Sequence, residues 1–193
     1  MLFEIGEFAV RARDWELART YFRESIAVRS QLDPRTDQTE AFIVHQHHLV
    51  DAHEGLAAAW IENDASQAEA FFQKAVQIAT TTSNSVRSPG SIKKLARAHN
   101  HFGIFRFKTG QTDQAMQQYQ MALETADGSL RGAILHNMAL CEESRNRIER
   151  ALELIDEALK VPGQGDGNVE KSLLFKAKLH FARGEFEIAK RPS

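Results

Sequence analysis

Four stretches carry residue types that could do chemistry. In His99-Asn100-His101-Phe102-Gly103, two imidazoles lie within three positions of each other, as a metal site would want. On a helix, residues two apart diverge by about 200°, so His99 and His101 cannot face one ion together. His99 reads instead as a packing residue with a hydrogen-bond partner. In "HQHHLVDAHE", His47, Asp51 and Glu54 stand at i, i+4 and i+7. They share a helix face and could hold zinc together with an outside ligand. The His-Glu-x-x-His arrangement of a helix-borne metal hydrolase is absent, and the set reads as a polar stripe on an exposed helix. Cys141 is the only cysteine. His136, five residues before it, lies about 500° around a helix and cannot serve it as a base. "GQGDGN", 163–168, has the composition of a phosphate loop but follows a helix rather than a strand and lacks the lysine, so it reads as a linker. These residues predict no catalytic group, no bound metal and no cofactor.

The whole chain supports that reading. Its 193 residues suffice for one domain with a continuous core, 42% are hydrophobic, and the formal net charge is −2. That balance provides no footprint for nucleic acid, and Lys93, Lys94 and Arg97 read as a solvated helix face. A single cysteine forms no intrachain disulfide, which fits a reducing compartment such as the cytoplasm. No apolar run is long enough to span a bilayer, and the first residues lack the pattern of a signal peptide.

The elements that would position any site are helices. The prolines at 34, 89 and 162 sit in short polar breaks, and between the breaks apolar residues recur at three and four, as in Ala68, Phe71, Phe72, Ala75 and Val76. No stretch alternates with period two. The pattern predicts an all-α chain of about ten helices in hairpins, with 37–63 as one helix of about 25 residues.

The hairpins repeat. In "HFGIFRFKTGQTDQAMQQYQMALETA", Gly103 is followed by Gly110, Ala115, Tyr119 and Ala122 at seven, twelve, sixteen and nineteen residues. Small residues permit close helix crossings, Gly110 suits a left-handed turn, and Thr112 is placed to cap the second helix. Equivalent alanines are Ala18, Ala68, Ala151 and Ala189; four residues on stand Phe22, Phe72 and Ile155 after the first three, and twelve residues before come Gly6, Leu56, Ala139 and Ala177. Leu56 departs from the small residue expected there, with Gly55 beside it.

This series resembles the tetratricopeptide repeat (TPR), a helix–turn–helix unit, and its long spacings are similar to those of kinesin light chains and bacterial peptide-sensing regulators. The resemblance implies one TPR-like domain over 1–193, a right-handed superhelical solenoid of antiparallel helix pairs. Its repeats lie at about 1–32, 38–83, 91–127, 129–162 and 169–190, the last incomplete, as in a piece of a longer stack. The first helix of each pair should line the concave face. Residues fifteen, eleven and eight before each anchor then give three rows: Phe3, His53, Asn100, His136 and Leu174; Glu7, Ala57, Ile104, Leu140 and Lys178; Val10, Trp60, Phe107, Glu143 and Phe181.

The expected peptide-binding residues are His53, Trp60, Asn100, Ile104, Phe107, His136, Asn137, Leu140, Lys171 and Lys178. Amides donate and accept like a peptide unit, and the aromatics supply apolar contact. Asn137, in "LHNMA", resembles the kinesin-light-chain segment whose asparagine meets cargo peptide. The clamp that holds chaperone tails is matched only at Asn137 and Lys171, with Ile104 and Phe175 at other positions, so such tails are not expected. The resemblance thus implies a non-catalytic scaffold for a protein or peptide, with no membrane and no direct nucleic acid. The alternative is the peptide-sensing effector domain of a bacterial transcriptional regulator. An apolar end around Leu173, Leu174 and Phe181 would allow self-association.

Overall fold

The computed structural model describes residues 1–31, 40–163 and 165–184. Among these residues there are nine α-helices and no strand: α1 (Leu2–Arg11), α2 (Trp15–Ser30), α3 (Glu40–Ala58), α4 (Ala65–Ser85), α5 (Pro89–Lys108), α6 (Thr112–Leu123), α7 (Gly128–Ser144), α8 (Ile148–Lys160) and α9 (Asp166–Ala182). They fall in two compact units, Met1–Phe105 and Arg106–Ser193. The repeat anchor at Ala189 lies outside the described residues.

In the first unit, α1 pairs with α2 and α3 with α4, and α2 packs on α3. Ala18 and Ala68 are fully buried, as the repeat frame requires, and Phe22 and Phe72 are buried one turn on. Phe72 stacks on Phe102 with ring centroids 6.0 Å apart and lies 5.1 Å from Phe105. Phe22 is the centre of the first cluster, with Ala9, Ala18, Leu56 and Ala59. Its ring fills the space that a side chain would need at two glycines: a Cβ at Gly6 would lie 2.8 Å from the ring, and one at Gly55 only 2.4 Å. The large residue at 56 therefore does not loosen the second repeat. Leu56 is itself buried, and the neighbouring Gly55 makes room for the phenylalanine of the preceding hairpin.

In the second unit, α7 pairs with α8, α6 packs on α7, and α9 packs on both α8 and α7. Ala115 and Ala151 are fully buried, as are Tyr119, Ala122, Ile155 and Ala158.

Four of the turns share one device, which the α3–α4 turn at Asn63 lacks. Five residues before the anchor the backbone enters the left-handed region, at Arg13 (φ 58°), Gly110 (φ 80°), Asn146 (φ 58°) and Gly184 (φ 83°). Glycine takes this conformation freely, whereas a Cβ makes it unfavourable. Arg13 is exposed, so Arg13→Gly should relieve strain at little cost in contacts and stabilise the unit by about 0.5–1 kcal/mol, read as a raised urea midpoint.

Two local expectations are corrected. Thr112 is the first residue of α6 rather than its cap; Gln111 occupies the cap position and makes no side-chain capping bond. The helix expected over 37–63 ends at Ala58. After it the Trp60 carbonyl accepts from both Asn63 N–H (3.0 Å) and Asp64 N–H (2.8 Å), closing a turn. Asp64 then caps α4, its Oδ1 accepting from Ser66 and Gln67 at 3.0 Å each.

Candidate functional site

The expected binding residues divide between the two units. In the first, His53 and Asn100 are buried, at 7% and 6% exposure. The His53 Nδ1–H donates to the Leu49 carbonyl at 2.8 Å, and its ring lies 6.4 Å from that of Phe71. Ile104, on α5, is half-buried. Trp60, expected on a groove-lining helix, lies instead in the turn that follows α3, where both flanking hydrophobic clusters hold its ring. The Arg19 guanidinium sits 4.5 Å over that ring, with Arg23 at 5.8 Å, and Arg19 donates to the Ala59 carbonyl at 3.2 Å. Trp60 is thus placed to hold two hairpins together.

The polar stripe on α3 has a partner rather than facing water. Lys94 of α5 pairs with Asp51 at 2.7 Å, and the His101 Nδ1–H donates to Glu54 at 2.9 Å. Lys94 is therefore not part of a solvated face, although Lys93 and Arg97 are exposed. These pairs also answer the metal reading of "HNHFG" and of His47, Asp51 and Glu54. Both carboxylates are engaged across the α3–α5 seam, and His101 is spent there, while His99 is buried.

In the second unit, His136, Asn137 and Leu140 project from α7 and are half-buried, while Lys171 and Lys178 are exposed on α9. Phe107, at the end of α5, is half-buried. His136 shares a 3.2 Å hydrogen bond with the buried Ser172 hydroxyl and lies 5.4 Å, ring to ring, from Phe175. Lys178 pairs with Glu143 at 2.6 Å and lies 5.6 Å over the Phe175 ring. The roles of Ser172 and Phe175 were missed, because no local pattern signals a contact 36 and 39 residues from His136. Around this seam α9 presents Lys171, Leu174, Lys178 and Phe181 at intervals of three, four and three, which places them on one face. Leu174 is 66% exposed and Phe181 58%.

Burial lowers the pKa of His47, His48, His53 and His136, with neighbouring cations (Lys94, Arg29, Lys74 and Lys171 respectively) acting in the same direction. A histidine held neutral on folding binds fewer protons than its unfolded form. Stability is then complete above the unfolded value of about 6.5 and is lost as pH falls below it. The urea midpoint should accordingly drop between about pH 7 and pH 5, and His53→Phe should flatten that slope. Burial also pushes the Cys141 thiol up to about 11, which opposes a nucleophilic role. Among the described residues, no group of three His, Cys, Asp or Glu side chains is placed to hold a metal ion, and no helix is long and apolar enough to cross a membrane.

Hairpins of this size and crossing pattern define the class: an all-α, TPR-like repeat fold. Solved structures share it. BtubC (BKLC) from P. vanneervenii matches at a TM-score of 0.75 and 18% identity over 96% of this chain and 72% of its own. Pseudomonas aeruginosa PilF matches at 0.69 and 18% identity, over 98% and 70%. A kinesin-light-chain-type protein of Podosopora anserina with nearly identical TPR-like repeats matches at 0.66 and 13% identity, over 98% and 88%. No family model matches the sequence, and no curated protein matches it.

Proposed function

We propose that the chain is a non-catalytic binding module that holds a peptide or protein segment against the first helices of its hairpins. In the second unit the surface is the α7–α9 face. The observation that carries the reading is the exposed stripe on α9, where two large apolar side chains, Leu174 and Phe181, are more than half exposed on the same face as Lys171 and Lys178. Scattered apolar residues on a surface need no explanation, but two on one stripe beside cations form an anchor pattern. Asn137 and Leu140 on the adjoining α7 supply an amide and a further apolar contact. The TPR-like fold supports the reading, since TPR proteins use this face for peptides.

The test is selection of peptides from a random library on the intact chain. The double substitution Leu174→Ser and Phe181→Ser, both at exposed positions, should weaken selected peptides roughly tenfold or more while leaving helix content unchanged. Lys178→Glu should instead disfavour acidic sequences among them. Selected binders indifferent to all of these substitutions would remove the α7–α9 face from consideration.

A further inference from the structure

Three contacts follow one another along the α3–α5 seam of the first unit, and they advance together on both helices, which therefore run in the same direction. At the upper end the His47 ring lies against the first turn of α5, its Cε1 3.6 Å from where a Cβ on Gly90 would stand. One turn on, Asp51 holds Lys94 at 2.7 Å. At the lower end Glu54 accepts from His101 at 2.9 Å. The second and third contacts each set a carboxylate against a basic group. The first has no carboxylate of its own: the His47 Nε2 is buried and makes no hydrogen bond. The charged and titratable groups acting on this ring are Lys94 from α5 and Asp51 and His48 from α3, and Lys94 already engages Asp51.

We infer that His47 is an acid-operated release for the first turn of α5, which loosens from α3 when the ring is protonated while the Glu54–His101 contact holds the other end of the seam. A proton on His47 places a cation with no free counter-ion beside Lys94 and against a helix N-terminus, which carries partial positive charge. At the lower contact the same acid turns the His101–Glu54 hydrogen bond into an ion pair and strengthens it. Acid thus acts on the two ends in opposite senses, and α5 pivots rather than detaches. Burial first and Lys94 second lower the pKa of His47. The seam is therefore fully closed above the unfolded value of about 6.5, and the opening develops as pH falls below it.

The experiment is amide hydrogen exchange on the intact chain at about pH 7.5 and about pH 5.5, corrected for the intrinsic exchange rate at each pH. Residues 91–96 should lose protection roughly tenfold on acidification, and residues 100–105 should lose much less. His47→Gln, neutral at every pH, should keep the high-pH pattern and abolish the loosening. Lys94→Gln frees Asp51 to accept from the protonated ring. In that variant acid should no longer loosen the turn, and the His47 midpoint, read from its Cε1 proton by nuclear magnetic resonance, should rise by about one pH unit. Equal protection of 91–96 at both pH values would overturn the inference, as would equal loosening along the whole of α5. Loosening that persists in His47→Gln, or a His47 midpoint unmoved by Lys94→Gln, would do the same. No readout involves α9, so failure here is distinct from failure of the α7–α9 face.

Discussion

Gly55→Ala is expected to destabilise the Met1–Phe105 unit by about 1–3 kcal/mol, the usual cost of overpacking a filled core. The sign is the informative part. Inside a helix, alanine is intrinsically favoured over glycine by about 1 kcal/mol, so propensity alone predicts a gain. Here the new Cβ would sit 2.4 Å from the Phe22 ring, which is fully buried and already wedged against Gly6, so it has nowhere to move without disturbing a second helix. The double variant with Phe22→Leu should lose less than the sum of the two single losses, because shrinking the ring relieves the clash. Urea denaturation of the four proteins measures this. Additive losses would show that Gly55 and Phe22 are not in contact.

Glu142→Ala should cost about 2–3 kcal/mol. This carboxylate is 6% exposed and accepts from Arg145 at 2.8 Å and from Arg147 at 3.3 Å, and Arg145 also reaches Asp113 on α6. Most of the loss comes from Arg145, which would keep only its partner on α6. Arg147 is largely exposed and contributes little. Glu142→Gln retains an acceptor oxygen and should lose less. Because the pair is shielded from solvent, the loss should persist at high salt, whereas substitutions in the exposed Arg150–Glu153 pair should have almost no effect. Denaturation midpoints at low and high salt distinguish the two.

The hairpin frame was legible because it rests on steric rules that leave a sequence trace. Small residues stand where helices cross and an aromatic or branched residue stands one turn on, so Ala18, Ala68, Ala115 and Ala151 are readable from spacing alone. Gly110 was readable for the same reason. Its counterparts Arg13 and Asn146 were not, since a turn closed by neighbouring packing can force a side-chain residue into the left-handed region. The end of α3 was hidden because 37–63 contains no proline; its signal was the Asn63-Asp64 pair, where a cap residue starts the next helix. The candidate site was less readable still. Spacing put Leu174, Lys178 and Phe181 on one face of α9, but the burial of His53 and Asn100 depends on neighbouring helices far away in sequence. The same holds for Asp51 and Glu54, whose partners on α5 stand 43 and 47 residues on.

The central claim is that a peptide lies on the α7–α9 face. The most direct measurement is a nuclear magnetic resonance titration of the intact chain with a library-selected peptide, following backbone amide and side-chain signals. The account predicts saturable shifts concentrated at Asn137, Leu140, Lys171, Leu174, Lys178 and Phe181, with the Asn137 side-chain amide among them. Shifts confined to α2 and α4, with the α7 and α9 signals unmoved at saturation, would contradict it.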